Sequence, residues 1–289
     1  MVYTTILSGV AFVALLLGSY TDIKTREVPD WLNFGIIFGG IGIRLLFSII
    51  AWNWSFLLEG MVGFLAMLIL AYALFYSGQV GGGDAKLLMG MGAVIGLRLS
   101  MDHFLIGFVI NTLVLGSIYG VLWSLFLMLR NWEKFKKEFL QILRLPGIRT
   151  FRKIALSFAA VLFILALFTA QPWLRIFILS MILLYLFGFY LWIFIKAVEK
   201  SCMYQYRSPE KLTVGDWIPK EIRVNGRVMV GPKDLGIEEA QIQALIRLKR
   251  QGKIKKVLIK EGIPFVPSFL FGFLCTLYIG NPLQYFFLL

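Results

Sequence analysis

The chain has 289 residues, of which 59% are hydrophobic and only 16% are charged. Soluble domains carry nearer a quarter charged residues, and several apolar stretches here exceed 18 residues, enough to cross a hydrocarbon layer roughly 30 Å thick. This composition excludes an ordinary soluble protein and predicts an α-helical polytopic membrane protein. Cys202, Cys275 and the single histidine, His103, form no C-x-x-C or similar cluster. We therefore expect no metal site and no cofactor.

The apolar stretches predict about eight transmembrane helices, within a range of six to eight. In chain order they cover residues 2–20, 31–51, 56–76, 84–100, 103–129, 154–170, 174–195 and 264–282. The first stretch lacks a basic start and an A-x-A-like cleavage site, which indicates a retained span and not a signal peptide.

The net charge of +13 is distributed unevenly among the connections between spans. Alternate crossings put 26 of the 29 Lys and Arg residues on one side of the membrane, mainly in residues 130–153 and 196–262. The positive-inside rule makes that side the cytoplasm and puts both termini outside, in a multi-pass protein of the cell membrane. The excess charge then favours attraction to anionic lipid over binding of nucleic acid.

These patterns predict five parts along the chain. They are a catalytic membrane core with five spans (1–129), a basic amphipathic cytoplasmic loop (130–153), two further spans (154–196), a small soluble cytoplasmic α+β module (197–262) and the final span (263–289). In the loop, Trp132, Phe135, Phe139 and Ile142 recur at helical spacing, as in a helix on a membrane surface.

Local signals within the soluble module predict its elements. EIRVNGRVMV predicts two strands joined by a turn at Asn225-Gly226, and IEEAQIQALIRLKRQG predicts a helix that ends at Gly252. KKVLIK predicts a further strand. With about 60 residues the module has little core of its own, so we expect it to lean on the membrane domain.

Two aspartates lie where predicted spans meet the cytoplasm. Asp22 ends the first span, which runs inward, and Asp84 begins the fourth, which runs outward, so both reach the same depth. An ionisable group at the edge of a span is costly and indicates function. Two carboxylates without metal ligands can act as an acid–base pair, one taking a proton from water and the other giving one to a peptide carbonyl. The alternative is that Asp84 is only a helix cap.

Small residues surround the second aspartate. Three consecutive glycines precede it: Gly81, Gly82 and Gly83. Without side chains they let a peptide backbone approach the acid, so we expect them to form the substrate-binding or active-site backbone. Gly92 and Gly96 have GxxxG spacing, which permits tight contact with another helix.

The two aspartate motifs together resemble those of the GxGD intramembrane aspartyl proteases. G-x-G-D covers residues 81–84, and Asp22 is followed by Arg26, Val28 and Pro29. This second pattern is similar to the D-x-x-x-R-x-V/I-P motif of the type IV prepilin and preflagellin peptidase branch. The stretch EGIPFVPSFLFGF, after a soluble insertion, is similar to the archaeal members.

The resemblance implies an aspartic endopeptidase with Asp22 and Asp84 as its catalytic pair. Its substrates would be type IV pilin-like or archaellin precursors, from which the short basic leader peptide is removed at the cytoplasmic face. Bacterial members also carry a cysteine-rich zinc-binding insertion and methylate the new N-terminus. This chain lacks those cysteines, which favours the peptidase-only, archaeal-type form.

Other functions remain open on the sequence alone. Glycine-broken helices with acids also suit a proton-coupled transporter, although a carrier site usually lies near the midplane and this chain has no repeat. A presenilin-like intramembrane protease would pair its GxGD with Tyr-Asp and a late Pro-Ala-Leu. Here Thr21 separates Tyr20 from Asp22, and no Pro-Ala-Leu occurs. A non-catalytic scaffold is a third possibility.

Overall fold

The computed structural model describes residues 2–98, 103–224, 227–232 and 234–286. The helices that it describes are α1 (Val2–Thr25), α2 (Asp30–Ile50), α3 (Ser55–Tyr76), α4 (Gly82–Ile95), α5 (Phe104–Arg130), α6 (Trp132–Arg144), α7 (Pro146–Phe168), α8 (Pro172–Val198), α9 (Glu239–Arg250), α10 (Val266–Ile279) and α11 (Leu283–Phe286). The strands are β1 (Tyr204–Arg207), β2 (Ile222–Val224), β3 (Arg227–Val230) and β4 (Val257–Lys260). A π-helical turn covers Glu199–Met203 and a 3₁₀ turn covers Pro209–Lys211.

Eight of these helices occupy the predicted spans, and the expected fold class, an α-helical polytopic membrane protein, is confirmed. Six are long and apolar enough to cross a membrane: α1, α2, α3, α5, α7 and α8. Helices α4 and α10 have 14 residues each. At 1.5 Å per residue each reaches only about 21 Å. The two short helices are therefore held among the longer ones.

Helix α4 ends at Ile95, before the predicted end at residue 100, where Gly96 takes a positive φ of 75° and a buried arginine binds the last carbonyls. Arg44 in α2 is 2% exposed. Its guanidinium donates hydrogen bonds to the carbonyl oxygens of Val94 at 2.9 Å and Ile95 at 2.6 Å. It also donates to the carbonyl oxygen of Phe56 in α3 at 2.8 Å. These bonds satisfy the last carbonyls of α4 and connect three helices.

Small residues let α4 approach α3 closely. A Cβ on Gly92 would overlap the carbonyl oxygen of Gly63 and would lie 2.6 Å from Met67 Cγ. The tight contact expected from the Gly92–Gly96 spacing is therefore present, with α3 as the partner. On its other sides α4 contributes Leu87 and Met91 to the main apolar core, in which residues of α1, α2, α5 and α10 also take part.

Residues 130–153 are helical over most of their length. Helix α6 covers Trp132–Arg144, and α7 already begins at Pro146, two turns before the predicted span at 154–170. The apolar face of α6 buries Phe135 and Ile142 against Ile193 of α8 and its neighbours. Part of the amphipathic face is thus covered by protein, while the basic residues of α6 stay on the outside.

The soluble segment before α10 forms a small α+β module, residues 199–263. Strand β1 pairs antiparallel with β4, and β2 pairs antiparallel with β3. The predicted turn at Asn225-Gly226 lies outside the described residues. Helix α9 begins with a capping box formed by Glu238 and Gln241. Its buried side chains join a core of this module: Leu212, Ile218, Val230, Ile237, Ile242, Leu245, Leu248, Val257 and Ile259.

Candidate active site

Asp22 is held in the last turn of α1 by the first residue of α10. Its side chain is 4% exposed, and its Oδ2 atom accepts a hydrogen bond from the backbone N–H of Val266 at 2.9 Å. The first N–H groups of a helix have no partner within the helix. The carboxylate supplies that partner, so the two helices fix the position of Asp22.

Asp84 lies in the first turn of α4, close to Asp22. Its half-buried carboxylate interacts electrostatically with that of Asp22 and contacts the backbone N–H of Gly81. The structure thus brings together the two acids that the sequence singles out. The cap interpretation also holds in part, because an acid at this helix position reaches back to the N-cap N–H in a capping box.

Two of the three glycines before Asp84 are not required by the fold. Gly81 and Gly82 are exposed, and a Cβ on either would make only an ordinary contact, at 3.7 Å. Neither has a positive φ. Gly83 differs, since a Cβ there would lie 3.3 Å from Val28. Gly81 and Gly82 therefore lie exposed with only ordinary contacts, whereas Gly83 packs against the chain that follows α1.

The soluble module contacts the connection that leads into α4. Gly78, with φ at 70°, lies against the ring of Trp217, which would be 2.5 Å from a Cβ at that position. The adjacent Asp216 interacts with Glu27, just after α1. Burial raises the pKa of Asp216, and the nearby negative charge of Glu27 raises it further. The hydrogen bond from the Thr213 N–H and the positive charge of Arg207 act in the opposite direction and lower it. The module thus lies beside the connections next to both aspartates.

Two aromatic residues of α5 complete this region, and sequence reasoning missed them. The Cζ atom of Arg26 lies 5.2 Å from the centroid of the Trp123 ring, and the ring centroids of Tyr119 and Trp123 are 5.8 Å apart. The Tyr119 hydroxyl is buried without a hydrogen-bond partner among the described residues, and it interacts electrostatically with Asp22. In the sequence, aromatic residues four positions apart in an apolar span are typical of ordinary helix packing. Nothing in that pattern indicates that Tyr119 and Trp123 lie near Asp22 and Arg26.

The described residues contain no group of three His, Cys, Asp or Glu side chains that could hold a metal ion. Both cysteines are free thiols. The chemistry available near Asp22 is therefore that of two carboxylates, a phenol, a guanidinium and backbone N–H groups.

Comparison with known proteins finds similarity to one family in this region. Residues 9–128, which include both aspartates, match the model of the "Type IV leader peptidase family". The preflagellin peptidase of Methanocaldococcus jannaschii is 33% identical over 108 residues, which are 37% of this chain and 46% of the relative. That of Methanococcus maripaludis is 34% identical over 83 residues, 29% of this chain and 36% of the relative.

The chain thus spans less than half the length of these curated relatives. The match nevertheless confirms the resemblance carried by the two aspartate motifs, and it favours this branch over the presenilin-like and transporter alternatives. Residues 9–128 of this chain are therefore similar to the type IV leader peptidase family.

Proposed function

We propose that this protein is an aspartic endopeptidase that removes the leader peptide from archaellin or type IV pilin-like precursors. Asp22 and Asp84 are its catalytic pair, and water is the nucleophile. The observation that carries the proposal is the proximity of these two carboxylates, each on a different helix, beside exposed glycine backbone. The names of the relatives, both preflagellin peptidases, support archaellin precursors as the substrate class.

The pair of acids can carry out both proton transfers of amide hydrolysis. Two neighbouring carboxylates share one proton, because both cannot be ionised at short range. The ionised one takes a proton from water while the water oxygen bonds to the peptide carbonyl carbon, and the protonated one gives its proton to the carbonyl oxygen. When the resulting tetrahedral intermediate collapses, the C–N bond breaks and the leaving nitrogen takes a proton from the carboxyl that received one. The other carboxylate takes back a proton from a hydroxyl of the intermediate, so the product carbonyl re-forms and the pair again shares one proton.

The surrounding backbone supports this chemistry. The Val266 N–H fixes one carboxylate oxygen of Asp22. The acid is therefore already oriented before the transition state, and little conformational entropy is lost on reaching it. The exposed backbone of Gly81 and Gly82 lets an extended substrate approach Asp84 without meeting a side chain at these two positions. The fixed position of Asp22 and the exposed backbone beside Asp84 together allow a peptide bond to contact both carboxylates.

The orientation of the protein follows from its charge. The basic segments 130–153 and 196–262 lie at the end of the membrane helices that carries Asp22 and Asp84, and we infer from the positive-inside rule that this end faces the cytoplasm. The active site and the module are then cytoplasmic, and both termini are outside. Anionic lipid is the expected partner of the basic surface.

The test is cleavage of an archaellin precursor by the purified protein in lipid nanodiscs, with the shortened product measured by mass spectrometry. We expect Asp22→Asn and Asp84→Asn each to lower the rate by about 100-fold or more, the usual contribution of a general acid or base. Asp30→Asn is the matched control, because Asp30 is a nearby exposed acid that pairs with Lys86 at 2.6 Å. Wild-type activity in either dyad variant would refute the proposal, and so would equal losses in all three.

A further inference from the structure

A second site opens one helical turn beyond Asp22. It is a cavity of about 350 Å³ that lies between the end of α1, the end of α5, residues 201–205 at the start of the module and residues 261–262 at its end. Its charged and aromatic lining residues are Arg26, Trp123, Arg130, Lys134, Tyr204 and Glu261. We refer to it as the Arg26 cavity.

The Arg26 cavity has an excess of positive charge. Its one carboxylate, Glu261, is already bound by Arg207 at 3.1 Å and by Gln205 at 2.5 Å, and it lies 3.9 Å from Arg26. No carboxylate of the described residues pairs with the two cations at its rim, Arg130 and Lys134. In this lining, Arg130 and Lys134 thus have hydrogen-bond donors without a carboxylate partner among the described residues.

One donor is buried as well. An Nη atom of Arg26 is inaccessible to solvent and has no hydrogen-bond partner among the described residues. The guanidinium lies 5.2 Å from the centroid of the Trp123 ring, within the range of a cation–π contact. A buried donor without an acceptor is unfavourable. The Arg26 side chain as a whole is 29% exposed, so a ligand with anionic oxygens can still reach its charge.

The position of the Arg26 cavity favours one class of ligand. An arginine fork binds phosphate through two parallel hydrogen bonds, and lysine adds charge to it. Basic pockets between membrane helices at the cytoplasmic side bind lipid headgroups, and Trp and Tyr are typical of that depth. A basic leader peptide is a poor occupant, because the lining carries three cations and a single carboxylate that is already paired.

We propose that the Arg26 cavity binds the phosphate of an anionic lipid headgroup, held by Arg26, Arg130 and Lys134. The bound phosphate places anionic oxygens beside these three cations and so steadies the end of α1 that carries Asp22. The site is defined by binding alone, so its test is separate from that of the proposed protease activity.

The experiment counts lipid copies bound to the full-length protein by native mass spectrometry. Phosphatidylglycerol is compared with diacylglycerol of the same chains, which lacks the phosphate, and with inorganic phosphate. The double variant Arg130→Gln, Lys134→Gln removes two cations of the cavity. The double variant Lys136→Gln, Lys137→Gln removes two exposed cations of α6 that do not line it. Both carry the same net charge.

We expect one phosphatidylglycerol to bind tightly and the cavity variant to weaken it by about tenfold or more, since it removes two charge-assisted hydrogen bonds to the phosphate. The control variant should bind as the wild type does. Equal weakening by both variants would mean general attraction to anionic lipid and would overturn the site. Undiminished binding to the cavity variant, or equal binding of diacylglycerol, would also overturn it. Displacement of the lipid by millimolar inorganic phosphate would keep the phosphate site and assign it a soluble ligand.

Discussion

The carboxylate of Asp22 accepts a hydrogen bond from the backbone N–H of Val266 at 2.9 Å, although 244 positions separate the two residues. This bond connects the last turn of α1 to the first turn of α10. Asp22 therefore has a structural role beside its proposed chemistry, and the two roles can be separated by substitution.

Asp22→Ala should destabilise the protein, whereas Asp22→Asn should not. The alanine leaves the Val266 N–H buried without an acceptor, which costs about 1–3 kcal/mol, whereas the asparagine carbonyl can still accept. Reversible unfolding in mixed micelles measures the difference, and cleavage should be lost in both variants. Equal stability of the two variants would show that the Val266 bond contributes nothing.

Arg44→Met should lower the free energy of unfolding far more than Arg98→Gln, although both arginines contact Glu59. The first substitution leaves the carbonyl oxygens that Arg44 satisfies without donors in the interior, which we expect to cost about 3–5 kcal/mol. Arg98 is 67% exposed, and surface pairs contribute about 0–1 kcal/mol. Denaturant unfolding of the two variants checks the contrast, and similar losses would contradict it.

Gly82→Ala and Gly92→Ala should affect different properties. An alanine at 82 meets only Phe75 at an ordinary distance, so stability should stay within about 0.5 kcal/mol while cleavage slows, because the methyl group narrows the substrate approach. An alanine at 92 overlaps α3, and overpacking costs about 1–3 kcal/mol.

Gly39→Ala serves as the control for both glycine variants, because nothing lies within 4 Å of a Cβ there. It should leave stability and cleavage close to wild type. Unchanged cleavage by Gly82→Ala would remove the case for backbone clearance beside Asp84.

Trp217→Ala should slow cleavage while the membrane helices remain folded. Its ring supports Gly78 in the connection before α4, and a small displacement of a catalytic group can cost about 100-fold in rate. Trp173→Ala at the exposed start of α8 is the control. Cleavage rates and helix content by circular dichroism are measured for both, and equal rates would mean that the module does not position the connection.

The membrane class and the two aspartates could be predicted because each depends on a local pattern. Hydropathy depends on consecutive residues, and both acids lie within a turn or two of a span boundary that hydropathy defines. Their common depth then follows from counting crossings, without any side-chain geometry. The helix α9 was predictable for the same reason, since acids at its start and bases at its end are adjacent in sequence.

The remaining features depend on contacts between distant residues. No pattern around Arg44 shows that its acceptors are the last carbonyls of α4. The packing of α6 on α8 and the approach of Tyr119 to the Asp22 region are likewise consequences of tertiary structure. A single sequence records the residues in such contacts but not their pairing.

The Asp22–Val266 bond also has a consequence for biogenesis. At a synthesis rate of roughly 5–20 residues per second, Val266 leaves the ribosome about 12–50 s after Asp22. During that interval α1 is already synthesised, but Asp22 lacks the hydrogen bond from the Val266 N–H. Asp22 thus acquires its hydrogen-bond donor only once α10 has been synthesised, so the proposed active site is assembled late in synthesis.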